Sequence, residues 1–78
     1  MTSMKDSLSS KIGIKIRLLR TKNKISQESL AFMSGLNKNS IGAIERGESS
    51  PTVDTLDKIA KALGMSLVEL IDVSKVDL

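Results

Sequence analysis

Apolar and polar residues alternate along this 78-residue chain with the spacing of α-helices, in five separate stretches. Apolar side chains three or four positions apart share one face of a helix, which can then pack on a core. The first stretch predicts a helix over residues 7–22, with a buried stripe at Leu8, Ile12, Ile16 and Leu19. Lysines and arginines surround this stripe, so the rest of the helix is expected to face solvent.

Two shorter helices follow, and a glycine separates them. Ser26 can accept a hydrogen bond from a free backbone N–H, so it predicts the start of a second helix that runs to about Ser34. Gly35 can adopt a positive φ without a Cβ clash and is predicted to end that helix. The third helix has a cap at Asn37, a first residue at Lys38, apolar positions at Ile41 and Ile44, and a terminator at Gly47.

Two further caps predict the last two helices. Thr52 is expected to cap a fourth helix that ends at Gly64. The buried face of this fourth helix is predicted at Val53, Leu56, Ile59, Ala60 and Leu63. Ser66 and Glu69 have the spacing of a capping box, which predicts a fifth helix that buries Leu67, Leu70 and Ile71. The pattern therefore predicts an all-α fold of five helices in one domain, residues 1–78, with short tails at both ends.

Composition removes several classes of function. The chain has no His and no Cys, so it lacks the usual general base, the usual zinc ligands and any disulfide. No apolar run approaches the roughly 20 residues of a membrane span, and the N-terminus lacks a hydrophobic signal region. With one Phe and no Trp or Tyr, an aromatic platform for single-stranded bases is disfavoured. We therefore expect a soluble cytoplasmic protein without membrane contact, without a metal or other cofactor, and without enzymatic activity.

Charge is polarised along the chain. Residues 1–46 carry nine Lys or Arg against three acids, a net charge of +6, whereas residues 47–78 carry a net charge of −3. A basic half indicates a polyanionic partner, although a solvated cationic helix explains the same pattern. Asp54 and Asp57 lie three residues apart, but an exposed acidic pair without a metal partner indicates a solvated surface.

The two short helices predict a steep crossing. Such a crossing needs a small side chain at the contact and a glycine at the corner, and Ala31 and Gly35 have the required spacing. With Ile41 and Ile44 facing inward, the outer face of the third helix displays Lys38, Asn39, Ser40 and Ala43. A major groove about 12 Å wide accepts a helix whose N-terminal side chains read base edges. The segment at about residues 26–46 is therefore predicted to be a helix-turn-helix that binds double-stranded DNA.

The segment SQESLAFMSGLNKNSIGAIERGESSPTVDTLDKIAKALGMSLVEL resembles the helix-turn-helix domain of phage-repressor and Cro-like regulators, the XRE family. The resemblance covers about residues 12–71 and implies a five-helix lambda-repressor-like fold. The part LAFMSGL is also similar to controller proteins of restriction–modification systems, although NKNSI departs from their usual start of the third helix. Ser34 occupies a position that is often apolar in the family, so Met33 or Phe32 is expected to fill the core there. A contact between Phe32 and a protein is the alternative.

The resemblance also implies roles for individual residues. The base readers are Lys38, Asn39, Ser40 and Ala43, with a phosphate contact as the alternative for Lys38 and Ser40. The phosphate ligands are Gln27, for which helix capping is the alternative, Arg46, and the backbone near Ser50 to Thr52. Among the cations of the first helix, which otherwise indicate solvated charge, Arg17 is expected to approach a phosphate. Arg20 and Glu45 correspond to an ion pair between the first and third helices. Glu28 matches an acidic position that some relatives turn toward RNA polymerase, so a polymerase contact stays open. Adenine suits Asn39, guanine suits Lys38, and a thymine methyl suits Ala43.

One short helix reads too few base pairs to find a site in a genome, so a homodimer on a near-palindromic operator is expected. The dimer interface is predicted around the fifth helix, at Leu67, Val68, Ile71, Val73 and Val76. The leading interpretation is a transcriptional repressor, with activation left open. The alternative from another class is an antitoxin or protein-interaction module that uses the same fold and its acidic C-terminal half.

Overall fold

The computed structural model describes residues 7–76, and five helices account for most of them. The helices are α1 (Leu8–Lys22), α2 (Gln27–Ser34), α3 (Lys38–Glu45), α4 (Val53–Ala62) and α5 (Leu67–Ile71). Four helices begin at the caps that the sequence predicts, which are Ser26, Asn37, Thr52 and Ser66, whereas Ser7, predicted as the first residue of α1, is its cap. Each of these five side chains accepts a hydrogen bond from a backbone N–H three residues later. The all-α prediction is confirmed. The ends of the two predicted tails, residues 1–6 and 77–78, lie outside the described residues.

Every helix contributes to one core. The largest fully buried side chains are Ile16, Leu30, Ile41, Ile59 and Leu70, one from each helix. α3 packs against α1 and α2, α4 packs against α2 and α5, and α5 returns to α1. Because α3 is supported from behind by two helices, its remaining side is free to face outward. Within residues 7–76, none of the helices combines the length and the apolarity that crossing a bilayer requires.

The turn between α2 and α3 has the geometry that its glycine predicts. Gly35 has φ 72°, in the left-handed region, and the N–H of Leu36 donates to the carbonyl of Ala31 at 2.8 Å. Asn37 then starts α3 by accepting from the N–H of Ser40 at 2.8 Å. Ala31 is buried where α2 meets its neighbours. A small side chain and a left-handed residue therefore set the crossing of the two helices.

Several residues that the pattern predicts to be buried are exposed. Leu8 is 60% exposed and Val53 is 66% exposed, because each lies in the first turn of its helix, beyond the edge of the core. Ile71, at the end of α5, is also largely outside the core. Phe32 is 88% exposed, so the expectation that it fills the core is wrong; Met33 is half exposed as well.

Ser34 is buried at a position where the resemblance implies an apolar residue, and Phe32 and Met33 do not fill the core in its place. The hydroxyl of Ser34 donates to the carbonyl of Leu30 at 2.6 Å within its own helix. A buried hydroxyl with a partner avoids the cost of an unpaired polar group. The polar residue is therefore accommodated locally, which leaves Phe32 and Met33 on the surface.

Lys15 has a structural role that its sequence context does not indicate. Its ammonium donates to the backbone carbonyls of Glu69 and Asp72 at the end of α5. The last carbonyls of a helix lack partners within the helix, and a cation there is favoured by the helix dipole. This lysine is therefore more than a solvated charge on α1, because its side chain ties α1 to α5.

Candidate nucleic-acid interface

The outer face of α3 is presented to solvent on a rigid support. Ile41 and Ile44 are buried against α1 and α2, whereas Lys38 and Asn39 are exposed at the N-terminal end of the helix. Ser40 and Ala43 are partly exposed beside them. Among residues 7–76, no hydrogen bond or ion pair engages the side chain of Lys38 or Asn39. The four residues predicted to read bases thus share one accessible face, and two of them have free side chains.

Behind this face, a buried ion pair joins α3 to α1. The guanidinium of Arg20 donates to Glu45 through two parallel bonds, Nε to Oε2 at 2.6 Å and Nη2 to Oε1 at 3.0 Å. The side chain of Glu45 is only 3% exposed. The hydrogen bond to Glu45 raises the pKa of Arg20 above its usual value. Arg20 also donates to the carbonyl of Ile25, so it fixes the loop that leads into α2.

Glu45 also holds the first residue of α2. The side-chain Nε2 of Gln27 donates to Glu45 Oε1 at 3.0 Å. An amide nitrogen has two hydrogens, so the second N–H of Gln27 stays available to an external acceptor. At this end of α2 the helix dipole and the free backbone N–H groups also favour an anion. One carboxylate therefore organises residues from α1, α2 and α3.

Gln27 and Arg46, both predicted phosphate ligands, have side chains that end near Gly42. A Cβ built on Gly42 would lie 2.9 Å from Arg46 Nη1 and 3.8 Å from Gln27 Oε1. The structure thus brings together two residues that are 19 positions apart in the sequence. Arg46 itself is exposed, and its Nε donates to Glu48 Oε2 at 2.9 Å. This hydrogen bond lowers the pKa of Glu48.

The remaining predicted phosphate ligands lie on other elements. Ser50 is exposed, and its hydroxyl lies 3.2 Å from the hydroxyl of Ser9 in the first turn of α1. Thr52 caps α4, where its hydroxyl accepts from the N–H of Thr55 at 3.1 Å, so this oxygen is already used in capping. Arg17 is exposed on α1, between Gly13 and Arg20, which both contact α3.

A close approach of α1 and α3 fixes the position of the candidate interface. A Cβ on Gly13 would lie 2.2 Å from the carbonyl oxygen of Ile44 and 3.0 Å from that of Glu45. At the next contact along α1, a Cβ on Gly47 would lie 2.6 Å from Ser10 Oγ, and Gly47 has φ 73°. The sequence reasoning did not identify Gly13, because a glycine inside a helical pattern gives no local sign of what it faces.

The predicted dimer residues divide into two groups. Val68 is 73% exposed and Ile71 is 39% exposed on α5, whereas Leu67 and Val73 are partly buried and pack against the core. Val76 is partly buried at the edge of a shallow groove of about 430 Å³ between α1 and α5. Leu18 of α1, which the sequence reasoning missed, lines this groove and is exposed.

Comparison with known proteins gives consistent matches over most of the chain. A family model described as helix-turn-helix matches residues 16–70. Control protein C.BamHI of Bacillus amyloliquefaciens is 43% identical over 61 residues, which are 77% of this chain and 75% of that protein. The cryptic phage CTXphi transcriptional repressor RstR of Vibrio cholerae is 38% identical over 64 residues, 82% of this chain and 58% of that protein.

A solved structure shows the same arrangement of helices. The crystal structure of the restriction–modification controller protein C.AhdI from Aeromonas hydrophila superposes with a TM-score of 0.77 at 40% sequence identity. The superposition covers 80% of this chain and 94% of that chain. The described helices therefore have a close structural counterpart along nearly the whole of a relative.

Proposed function

Because the chain belongs to the helix-turn-helix (XRE) family of DNA-binding transcriptional regulators, we propose that it binds double-stranded DNA sequence-specifically, as a homodimer on a near-palindromic operator. The observation that carries this proposal is the outer face of α3, where Lys38 and Asn39 are exposed and unengaged on a helix held by α1 and α2. A helix with short polar groups at an exposed N-terminal end fits the major groove.

In this proposal α3 enters the groove with its N-terminal end foremost. Asn39 pairs with the N6 and N7 edge of adenine, and Lys38 donates to the O6 and N7 edge of guanine. Ala43, one turn further along the same face, contacts a thymine methyl. Ser40 reaches either a base edge or a phosphate. These contacts supply sequence preference because each base pair presents its own pattern in the major groove.

Phosphate contacts fix the depth and register of α3. Gln27 uses its second side-chain N–H for a phosphate while Glu45 holds the first, and Arg46, whose side chain also ends near Gly42, binds a phosphate as well. The backbone from Ser50 to Thr52 and the side chain of Arg17 extend the same set of contacts. Such contacts orient the protein on the duplex without reading sequence.

Two alanine substitutions separate these roles. Asn39→Ala is expected to lower the preference for operator over scrambled duplex by about 1–3 kcal/mol, because the bidentate base contact is lost. Gln27→Ala is expected to weaken binding to both duplexes alike, because a phosphate is the same in every sequence. Both are measured by fluorescence anisotropy titration, with circular dichroism to establish that the variants are folded.

Salt dependence distinguishes this proposal from the protein-interaction alternative. A DNA binder loses affinity linearly in log–log coordinates as salt rises, because bound phosphates release counterions. The wild type should show a steep slope on any duplex. An Asn39→Ala variant with unchanged discrimination, or a wild type that binds no duplex at low salt, would contradict the proposal.

The dimer is proposed to form through α5. Val68 and Ile71 leave apolar surface exposed there, and a self-complementary patch suits a two-fold interface. Leu67 and Val73 hold that surface in place by packing against the core, and Val76 lines the groove between α1 and α5. Two copies related in this way place their α3 helices in half-sites roughly 34 Å apart.

Val68→Asp is expected to convert the dimer to a monomer and to weaken operator binding about tenfold or more, because a buried unpaired carboxylate is costly. The change should leave the fold intact, since Val68 is exposed and an acid in the first turn of a helix is favoured. Sedimentation velocity at micromolar concentration measures the assembly. Phe32→Asp, on the exposed surface of α2, is the matched control and should stay dimeric. A Val68→Asp variant that sediments as the wild type does would refute this interface.

The effect of the protein on transcription depends on the position of its binding site relative to the promoter. We propose repression by blocking polymerase, with Glu28 exposed on α2 as the residue through which activation would occur. The protein acts in the cytoplasm by binding alone and catalyses no reaction. Asp57 is paired with Lys61 at 3.1 Å, which fits a solvated surface rather than an acid–base centre.

A further inference from the structure

The carboxylate of Glu48 is hydrogen-bonded to Arg46, one of the candidate phosphate ligands. Glu48 Oε2 accepts from Arg46 Nε at 2.9 Å, although both side chains are more than half exposed. The position of Glu48 is set by the backbone, because its N–H donates to the carbonyl of Ala43 at 2.9 Å and Gly47 makes the turn with φ 73°. The loop after α3 therefore brings an anion to the guanidinium as part of its fold.

This contact uses the donor that a phosphate needs. Arginine binds a phosphate most strongly through two parallel N–H groups, and Nε is a member of the side-on pair. Carboxylate and phosphate oxygens compete for the same donors because both are anionic acceptors. The hydrogen bond from Arg46 also lowers the pKa of Glu48, which keeps the carboxylate charged. With Nε committed to Glu48, Arg46 cannot offer this pair to DNA unless the ion pair opens.

We propose that Glu48 is an internal competitor for the phosphate that Arg46 binds, and that it lowers the sequence-independent part of the affinity for DNA. This inference rests on the proposed function, since it takes Arg46 as a phosphate ligand. Glu48 is a residue that acts through Arg46 and reads no base. Its effect is the same on every duplex, because phosphate contacts carry no sequence information.

Removing the competitor changes two measurable quantities. Glu48→Gln is expected to tighten binding to operator and scrambled duplex alike, by up to about fivefold, the upper end of what an exposed ion pair contributes. The slope of log affinity against log salt should steepen by up to about 0.9, the increment of one phosphate contact. In the wild type that increment is offset, because a freed Glu48 takes up a cation when Arg46 moves to the phosphate.

The control is a second exposed ion pair that is remote from α3. Asp57→Asn removes the same charge and frees Lys61 on α4, so it reproduces the change in net charge and the loss of a surface pair. The affinity of Asp57→Asn for DNA is expected to stay within twofold of the wild-type value. Its salt slope is expected to equal the wild-type slope within error. The Arg46→Gln variant tests whether Glu48 acts through Arg46. In a protein that carries Arg46→Gln, adding Glu48→Gln should not change the affinity for DNA.

Three outcomes would overturn the inference. Glu48→Gln could tighten binding no more than Asp57→Asn does. It could tighten binding equally with and without Arg46, which would mean direct repulsion of the DNA by Glu48. It could act on one duplex only, which would make Glu48 a base reader. A wild type that binds no duplex would instead refute the proposed function, and the competitor role with it. Uniform tightening that depends on Arg46 supports the inference.

Discussion

Gly13→Ala is expected to lower the free energy of unfolding by about 2–3 kcal/mol, measured by urea denaturation. The added methyl group would lie 2.2 Å from the carbonyl oxygen of Ile44, well inside the 3.4 Å at which ordinary contact begins. That oxygen belongs to the backbone of α3, so relief requires α1 and α3 to move apart. Alanine normally stabilises a helix over glycine by about 1 kcal/mol. The prediction therefore requires that the steric cost of the clash with α3 exceed this gain.

Gly42→Ala is the matched control for this prediction. Gly42 is also helical and buried, but its added methyl group would meet Arg46 Nη1 at 2.9 Å and Gln27 Oε1 at 3.8 Å, the ends of two flexible side chains. These can move aside, so Gly42→Ala should be neutral or stabilised by up to about 1 kcal/mol, the gain of alanine over glycine in a helix. Equal destabilisation of the two variants, or a stabilised Gly13→Ala, would show that α1 and α3 do not approach as described.

Arg20→Met is expected to lower the free energy of unfolding by about 3 kcal/mol, again by urea denaturation at neutral pH. The loss leaves Glu45, whose side chain is 3% exposed, with Gln27 as its remaining side-chain hydrogen-bond partner among residues 7–76. A buried carboxylate without its cation is costly, whereas a methionine fills much of the vacated volume. The same variant should lose affinity for all duplexes, because Arg20 no longer fixes the Glu45 carboxylate that positions Gln27.

The comparison variant is Lys61→Met, which removes the cation of the exposed pair with Asp57 and should cost no more than about 0.5 kcal/mol. Replacing both members of the buried pair, Arg20→Met with Glu45→Met, should recover part of the loss because no unpaired charge remains. If Arg20→Met and Lys61→Met lower the free energy of unfolding by the same small amount, the Arg20–Glu45 pair contributes little to stability. Apolar packing alone would then hold α3.

The helices could be predicted from the sequence because their signals are local. A cap such as Ser26 or Asn37 acts on the N–H groups of the next turn, and Gly35 needs a left-handed conformation at its own position. None of this depends on distant parts of the chain. The exposure of Leu8 and Phe32 could not be predicted in this way, since periodicity reports a face but not how far the core extends along it.

The features that the sequence did not indicate all depend on tertiary contacts. Gly13 matters because α3 crosses at that point, and Lys15 matters because α5 ends beside it. Lys24 has φ 58° in the turn after α1, where glycine or asparagine would signal a left-handed residue but lysine does not. Each of these residues has an ordinary local context, so only the packed structure gives it a role.

For the candidate interface, the resemblance to a family indicated the residues and the structure added how they are held. The sequence places Lys38 and Asn39 at the start of α3, which follows from the cap at Asn37. It does not show that Gln27 is bound by Glu45, or that Arg46 is bound by Glu48. These are side-chain hydrogen bonds, and their partners are chosen by geometry that residue spacing alone does not specify.

In the proposed complex, the outer face of α3 reads base edges in the major groove. Selection of duplexes from a random pool by the wild type and by Asn39→Ala in parallel tests it most directly. We expect the wild type to yield a near-palindrome, and Asn39→Ala to yield the same motif with the preference at one position lost in each half-site. Identical motifs from both proteins, or a wild type that enriches no motif, would contradict the claim.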